Sequence, residues 1–287
     1  MATTHTLRDF ETHQTPTWCP GCGDFGIWTA LKGAVVELGL APHELVVVFG
    51  IGCAGNQANF VRAYGFHGLH GRALPVAEGI ALANHGLTTI VVSGDGDGFG
   101  EGLAHFLHAL RANANLTYLV HDNQVYGLTK GQASPTSVQG YRSTSTPWGA
   151  PDEPLNPLSV ALAAGGTFVA RGFAGDVPHL QQLMVQGVKH RGFSFIDILQ
   201  PCVTFNHLNT YSWFYERVVK LEKLKHDPRD RQAAWVRASS QPDELPIGVF
   251  YQAVQPTLED RFSVLEHGPL VEQSPRREVT DLLTHFS

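Results

Sequence analysis

Apolar residues along the chain gather in short runs bounded by turn residues, at Glu44–Ile51, Thr88–Ser93, Leu116–His121, Phe168–Arg171 and Phe193–Leu199. Runs of this length, rich in Val, Ile, Leu and Phe, predict strands buried on both faces. Between them lie stretches with helical periodicity: Phe25–Leu38, Pro75–Asn84, Phe99–Arg111, Pro157–Ala164 and Val177–Lys189. Strands alternating with helices imply a mostly parallel sheet, because parallel connections need crossovers of about a dozen residues or more. The expected fold class is α/β, a mostly parallel sheet flanked by helices. From Gln200 onward the pattern breaks into polar, Pro-punctuated sequence with one helix-like stretch, Tyr211–Lys225. This predicts an α/β domain over 1–202 and a C-terminal extension over 203–287 packed on it.

Composition narrows the partners. Of 287 residues 43% are apolar and 16% charged, enough for a sizeable core and too apolar for disorder. Thirty glycines and seventeen prolines suit alternating elements joined by functional turns better than a helix bundle. The net charge is −6 and no dense basic cluster could neutralise a row of phosphates, which argues against nucleic acid. The longest apolar run, Leu45–Ile51, is far shorter than the roughly 20 residues of a spanning helix, and Met1–Trp18 has no apolar signal core. The expectation is a soluble, cytoplasmic protein with no membrane partner.

Each of the four cysteines, Cys19, Cys22, Cys53 and Cys202, has Gly or Pro within two residues and lies outside the apolar runs where a packing cysteine belongs. A disulfide conflicts with a reducing compartment. A Cys-x-x-Cys redox pair stays open, although no strand precedes Trp18 as thioredoxin-type motifs require. A four-thiolate site also stays open, as tetrahedral zinc or an iron–sulfur cluster. Compact zinc sites use two close pairs, whereas here one pair is joined by singles 31 and 149 residues further on, which favours a cluster.

In an open parallel sheet ligands bind beyond the carboxyl ends of the strands. Three loops occupy such positions: Gly50–Asn59, Gly94–Gly100 and Asp122–Gln132. The second reads Gly94-Asp95-Gly96-Asp97-Gly98 between a predicted strand and helix. Glycines permit close approach of backbone to an anion, but an aspartate beside a pyrophosphate is repulsive unless a cation intervenes. Magnesium suits that role, being held by a carboxylate, neutral oxygens and phosphates. Asn123, 28 residues after Asp95 at the end of the next strand, offers a second oxygen at the same sheet edge.

The Gly-Asp-Gly loop with an asparagine one crossover later resembles the thiamine diphosphate motif. In that motif an Asp, an Asn and a carbonyl two residues beyond the Asn hold magnesium, which implies Asp95, Asn123 and the Val125 carbonyl here. More specifically, TWCPGCGDFGIW, GIGCAGN, FHGLHGRALPVAEGIALAN, GDGDG, DNQVYGLTKGQASPTS, QPCVTFN and LPIGVFY are similar, in order and spacing, to the β subunits of 2-oxoacid:ferredoxin oxidoreductases. The resemblance runs from about Thr15 to Phe262. It implies that the four cysteines ligate one [4Fe–4S] cluster, and that the chain has the thiamine diphosphate-binding PP-domain fold. It also implies cofactor contacts from Gly94, Asp95, Gly96 and Asp97, from Asn123, Val125, Tyr126, Gly127, Leu128 and Thr129, and from Ile51, Gly52 and His70.

The activity implied is oxidative decarboxylation of a 2-oxoacid, 2-oxoglutarate in the first instance, with coenzyme A as co-substrate and electrons passed through the cluster to ferredoxin. The glutamate that activates the cofactor is implied to come from an α subunit, in an αβ or (αβ)2 assembly, so no catalytic residue is assigned in this chain. Glu78 and Glu101 read as solvated helix charges. Of His67 and His70, which flank a turn, His70 is assigned as a cofactor contact, and Lys130 either neutralises phosphate or faces solvent. Two departures stand out: Asn56 replaces the family's basic residue after Cys53, and Leu103-Ala104-His105 replaces its Gly-Asn-His. The rival readings are a non-redox thiamine diphosphate decarboxylase subunit and a zinc-stabilised binding module without catalysis.

Overall fold

The computed structural model describes residues 5–239, 243–274 and 280–283. Its strands are β1 (Leu45–Phe49), β2 (Tyr64–His67), β3 (Thr88–Gly94), β4 (Leu116–Asp122), β5 (Val125–Tyr126), β6 (Gln132–Ala133), β7 (Phe168–Phe173), β8 (Phe193–Leu199), β9 (Val218–Lys220) and β10 (Leu245–Gln252). Its main helices are α1 (Asp24–Glu37), α2 (Ala73–Ala83), α3 (Leu103–Ala112), α4 (Pro157–Ala163), α5 (Val177–Lys189), α6 (Tyr211–Arg217) and α7 (Arg231–Ala238). Eight strands form one sheet in the order β2-β1-β3-β4-β8-β7-β10-β9, while β5 and β6 make a separate hairpin. The first six are parallel and β10 runs antiparallel to β7. The α/β class with a mostly parallel sheet is therefore the observed one.

Both faces are dry because successive side chains alternate across the sheet. Val47, Phe49, Ile90, Val92, Leu119 and Ile196 pack against Ile27, Ala30 and Leu31 of α1 and Leu180 and Leu183 of α5. Val46, Val48, Val91, Val120 and Phe195 pack against Ala73, Leu74 and Ala77 of α2, Phe106 and Leu110 of α3, and Leu158 of α4. The strand order reverses at β1, which has β2 on one side and β3 on the other. Loops leaving β1 and β3 there diverge to opposite faces and open a crevice at the carboxyl edge.

The structure departs from the sequence pattern in two places. The helix-like stretch 211–225 splits, with α6 ending at Arg217 and β9 pairing Val218–Lys220 with β10. The segment after Gln200 thus adds two strands to the sheet besides lying over it. The helix expected from Phe99 begins instead as a wide helical turn, Gly96–Glu101, and α3 starts only at Leu103. No helix among the described residues is long and apolar enough to cross a membrane.

Candidate active site

The crevice at the carboxyl ends of β1, β3 and β4 holds a cavity lined by every residue that the sequence reading assigned to cofactor contact, from Ile51, Gly52 and His70 through Gly94–Asp97 to Asn123 and Val125–Thr129. Lys130 is exposed and does not line it, and His67 sits on the exposed edge strand β2. Close packing explains the glycines. A Cβ on Gly96 would lie 2.3 Å from the Tyr126 ring, whose hydroxyl donates to the Gly96 carbonyl at 3.1 Å.

Asp95 and Asp97, two residues apart, have different surroundings. Asp97 is committed to protein partners: its Oδ1 accepts from the Gly71 N–H at 2.7 Å and lies 3.0 Å from His70 Nδ1, while Ser93 donates to Oδ2. Its effect is to fix the His70 ring against the cavity. Asp95 is buried, and its Oδ2 accepts from Ser134 Oγ at 2.5 Å and Thr136 Oγ1 at 2.7 Å. Burial pushes its carboxyl up to about 6 despite those donors. At the next strand end, the Asn123 side chain accepts from the Val125 N–H at 3.1 Å, in a turn that takes Gln124 to φ +62°.

Thr136 has a second acidic neighbour, Asp122 Oδ1, also at 2.7 Å. One hydroxyl proton cannot serve two carboxylates. Burial, reinforced by Asp197 and Asp95, pushes Asp122 well above the ordinary carboxylate range. Asp197 is paired with Arg171 Nε at 2.8 Å across β7 and β8.

The donor set fits magnesium and a diphosphate. Two aspartates and no Lys or Arg line the cavity, so an anionic ligand could settle there only with a divalent cation between, and Asp95, Asn123 and the Val125 carbonyl are the hard oxygens that cation prefers.

A second cavity shares Cys53, Asn123, Gly127 and Leu128 with the first, and all four cysteines line it. The Cys22 N–H donates to the Cys19 carbonyl at 2.9 Å, and the Gly23 N–H to Pro201 at 3.2 Å, which draws the pair toward Cys202. Trp18 Nε1 donates to the Cys53 carbonyl at 2.8 Å. A Cβ on Gly127 would lie 3.4 Å from Cys53 Sγ and 3.9 Å from Cys202 Sγ, so this glycine leaves the space among the thiols open. Burial and the Asp24 carboxylate push the Cys22 thiol far up, and the same two causes, with Cys202 and Cys19, push Cys53 up to about 12. Such thiols ionise only when positive charge arrives with a metal. Among the described residues no three His, Cys, Asp or Glu side chains are grouped tightly enough for one metal ion.

Several site residues escaped the sequence reading. Asp24 is fully buried, with Oδ1 2.6 Å from His121 Nδ1 and Oδ2 accepting from Cys22 Sγ at 3.3 Å. Gln200 Nε2 donates to Cys22 Sγ at 3.4 Å. Asp24 reads in sequence as an ordinary acidic residue of a first helical turn, and nothing local marks its partner 97 residues away. Glu78 is a correction: it is buried on α2 rather than solvated, and burial raises its carboxyl. Asn56 lines the cysteine cavity and not the one at the switch point.

Residues 50–198 match the family described as thiamine pyrophosphate enzyme, C-terminal TPP binding domain, and residues 202–267 match the family of the C terminal of the pyruvate ferredoxin oxidoreductase beta chain. The fold is thus that of a thiamine diphosphate-binding α/β domain. The chain is 44% identical to a 2-oxoacid:ferredoxin oxidoreductase subunit beta of Saccharolobus solfataricus, covering 93% of this chain and 95% of that one. It is 45% identical to the 2-oxoglutarate oxidoreductase subunit KorB of Mycobacterium tuberculosis over 69% of this chain and 53% of the other. The solved 2-oxoglutarate:ferredoxin oxidoreductase from Magnetococcus marinus, with 2-oxoglutarate, coenzyme A and succinyl-CoA bound, superposes with a TM-score of 0.92 at 35% identity, covering 99% and 97% of the two chains. The chain belongs to the β subunits of the 2-oxoacid:ferredoxin oxidoreductases.

Proposed function

We propose that this chain, joined to an α subunit in an αβ or (αβ)2 assembly, performs coenzyme A-dependent oxidative decarboxylation of a 2-oxoacid, with 2-oxoglutarate the preferred substrate, and delivers the electrons to ferredoxin. The observation that carries the reading is the shared wall: the cavity with the Asp95 and Asn123 oxygens backs directly onto the cavity of the four cysteines through Cys53 and Gly127. Within the chain, 1–202 is the domain that carries both sites, Cys202 included, and 203–287 the extension packed on it, whose strands β9 and β10 join the sheet.

Asp95, Asn123 and the Val125 carbonyl would hold magnesium, and the magnesium the diphosphate. His70, its Nδ1 turned to Asp97, presents the rest of its ring to the cavity. Thiamine diphosphate supplies a nucleophilic carbon and an electron sink for decarboxylation, and a [4Fe–4S] cluster on Cys19, Cys22, Cys53 and Cys202 supplies one-electron transfer. Tyr126, Leu128 and Thr129 wall the cavity beside those oxygens. One four-cysteine set provides for one cluster, so the acceptor is external. The preference for 2-oxoglutarate is supported by the named relatives and the ligands of the Magnetococcus marinus structure.

The test is anaerobic co-purification with the α subunit, followed by iron, zinc and thiamine analysis and a ferredoxin-reduction assay with 2-oxoglutarate and with pyruvate. About four irons per chain and reduction dependent on 2-oxoglutarate and coenzyme A are expected. Zinc without iron would sink the ferredoxin chemistry, and faster turnover of pyruvate would reassign the substrate. Cys202→Ala should lose most of the iron while retaining thiamine diphosphate. Full iron content after that change would place the fourth ligand elsewhere.

A further inference from the structure

The stretch Gln132–Ser137 carries three hydroxyls, Ser134, Thr136 and Ser137, that the function above leaves without a role. All three residues are buried. They arrive beside the cavity because β5 and β6 fold the chain back on itself: Tyr126 pairs with Gln132, and the Gly131 N–H donates to the Tyr126 carbonyl at 2.9 Å with Lys130 and Gly131 both at positive φ. The strand after the turn then runs back past the Gly-Asp-Gly loop.

Each hydroxyl lands on one of the two segments that carry the magnesium oxygens. Ser134 and Thr136 both donate to Asp95 Oδ2, at 2.5 and 2.7 Å. Ser137 donates to the Gln124 carbonyl at 2.5 Å, between Asn123 and Val125, and accepts from the Ser134 N–H at 2.8 Å. Two donors on one oxygen fix the plane of the Asp95 carboxylate. No side-chain donor among the described residues reaches the other oxygen, Oδ1. Thr136 also touches Asp122, the residue next to Asn123, so one side chain bridges the ends of β3 and β4.

We propose that Ser134, Thr136 and Ser137 form a hydroxyl clamp that sets the separation and orientation of the two magnesium-bearing segments and reserves Asp95 Oδ1 for the cation. They are positioning residues, acting through Asp95 and the Asn123–Val125 turn. The proposal rests on the magnesium reading of those oxygens, so its test must separate the two. A hydroxyl-bearing replacement at 136 should keep the clamp and an isosteric apolar one should break it. Outer-shell partners of this kind typically change metal affinity by about 10- to 100-fold.

The experiment is magnesium titration of the assembled enzyme, stripped anaerobically of divalent cations, in the presence of thiamine diphosphate, followed by tryptophan fluorescence. Thr136→Val should raise the apparent magnesium dissociation constant about tenfold or more, Thr136→Ser should restore it to within about twofold, and Ser134→Ala should weaken it as well. Iron content and thermal midpoint should match the parent, which a general packing defect would not allow. Parental magnesium affinity in both Thr136→Val and Ser134→Ala, with affinity lost in Asp95→Ala, overturns the clamp alone. Parental affinity in Asp95→Ala overturns the magnesium assignment itself. If Thr136→Val fails to assemble, Ser134→Ala, which removes one atom from the same oxygen, decides.

Discussion

At the level of single residues the site is defined by what its side chains exclude. Gly96 has no room for a methyl group against Tyr126, so Gly96→Ala should push the ring aside or the loop outward at a cost of about 1–3 kcal/mol. Thiamine diphosphate affinity measured by calorimetry should fall at least tenfold, and adding Tyr126→Leu should recover part of it. If the single change leaves affinity intact, the loop tolerates displacement and the close contact has no bearing on binding. Glu78 makes a different prediction, because its carboxyl is raised by burial and its Oε1 has no hydrogen-bond partner among the described residues. A raised carboxyl destabilises the fold once it ionises: the cost is absent below the unfolded-state value and complete above the folded-state one. Glu78→Gln should therefore raise the thermal midpoint at pH 8, with the gain shrinking toward pH 5, and a gain independent of pH would point to packing instead. Periodicity alone could not separate this buried glutamate from the exposed Glu101, since both read as polar positions on helices.

Among the elements, those with a strong local pattern were legible from sequence, and those that depend on distant pairing were not. The stretch Phe193–Leu199 and helix Val177–Lys189 match their expected bounds because an apolar run interrupted only by Ser194 and Asp197, and a proline-led first turn, fix them locally. By contrast β2 is short, contains glycine and is exposed throughout, and β10 begins Leu-Pro and carries Gly248 at φ +131°. Neither reads as a strand until its neighbour is known. Val218–Lys220 leaves the helical pattern because pairing with β10 satisfies its backbone there. The cofactor loops were legible because glycine, aspartate and asparagine at strand ends have few structural uses, whereas the hydroxyls that hold Asp95 come from 39 and 41 residues away and have no periodicity to betray them. The strand pair β7 and β8 carries its own test, since Arg171 lies opposite Asp197 in register and neutralises a fully buried carboxylate. Arg171→Met should cost about 3–5 kcal/mol in denaturant unfolding by stranding that charge. Asp197→Asn in the same background should recover much of the loss. A cost below about 1 kcal/mol would mean that Asp197 is already protonated in the parent.

For the whole molecule, the chain supplies one α/β domain whose switch-point cavity has oxygens for a metal and a wall shared with the cysteines, yet no glutamate among the described residues lines that cavity. Activating thiamine diphosphate requires a carboxyl group against the far end of the cofactor from the diphosphate, and the described residues form no second α/β layer to carry one. The described residues thus supply the anchoring half of the proposed site, and the α subunit implied by the β-subunit family is the proposed carrier of the activating half. Anchoring and turnover should then separate in experiment. The chain alone, reconstituted anaerobically, should bind magnesium and thiamine diphosphate measurably but release no carbon dioxide from 2-oxoglutarate. Titrating in the α subunit should switch on decarboxylation, saturating at one α per β, and should tighten the cofactor because it then touches protein at both ends. Asp95→Ala in this chain should abolish the gain however much α subunit is added, since the activating half has nothing to act on. Decarboxylation by the chain alone would show that an acidic group of its own, Glu101 being the nearest in sequence to the Gly-Asp-Gly loop, reaches the cofactor, and the division of labour between subunits would have to be redrawn.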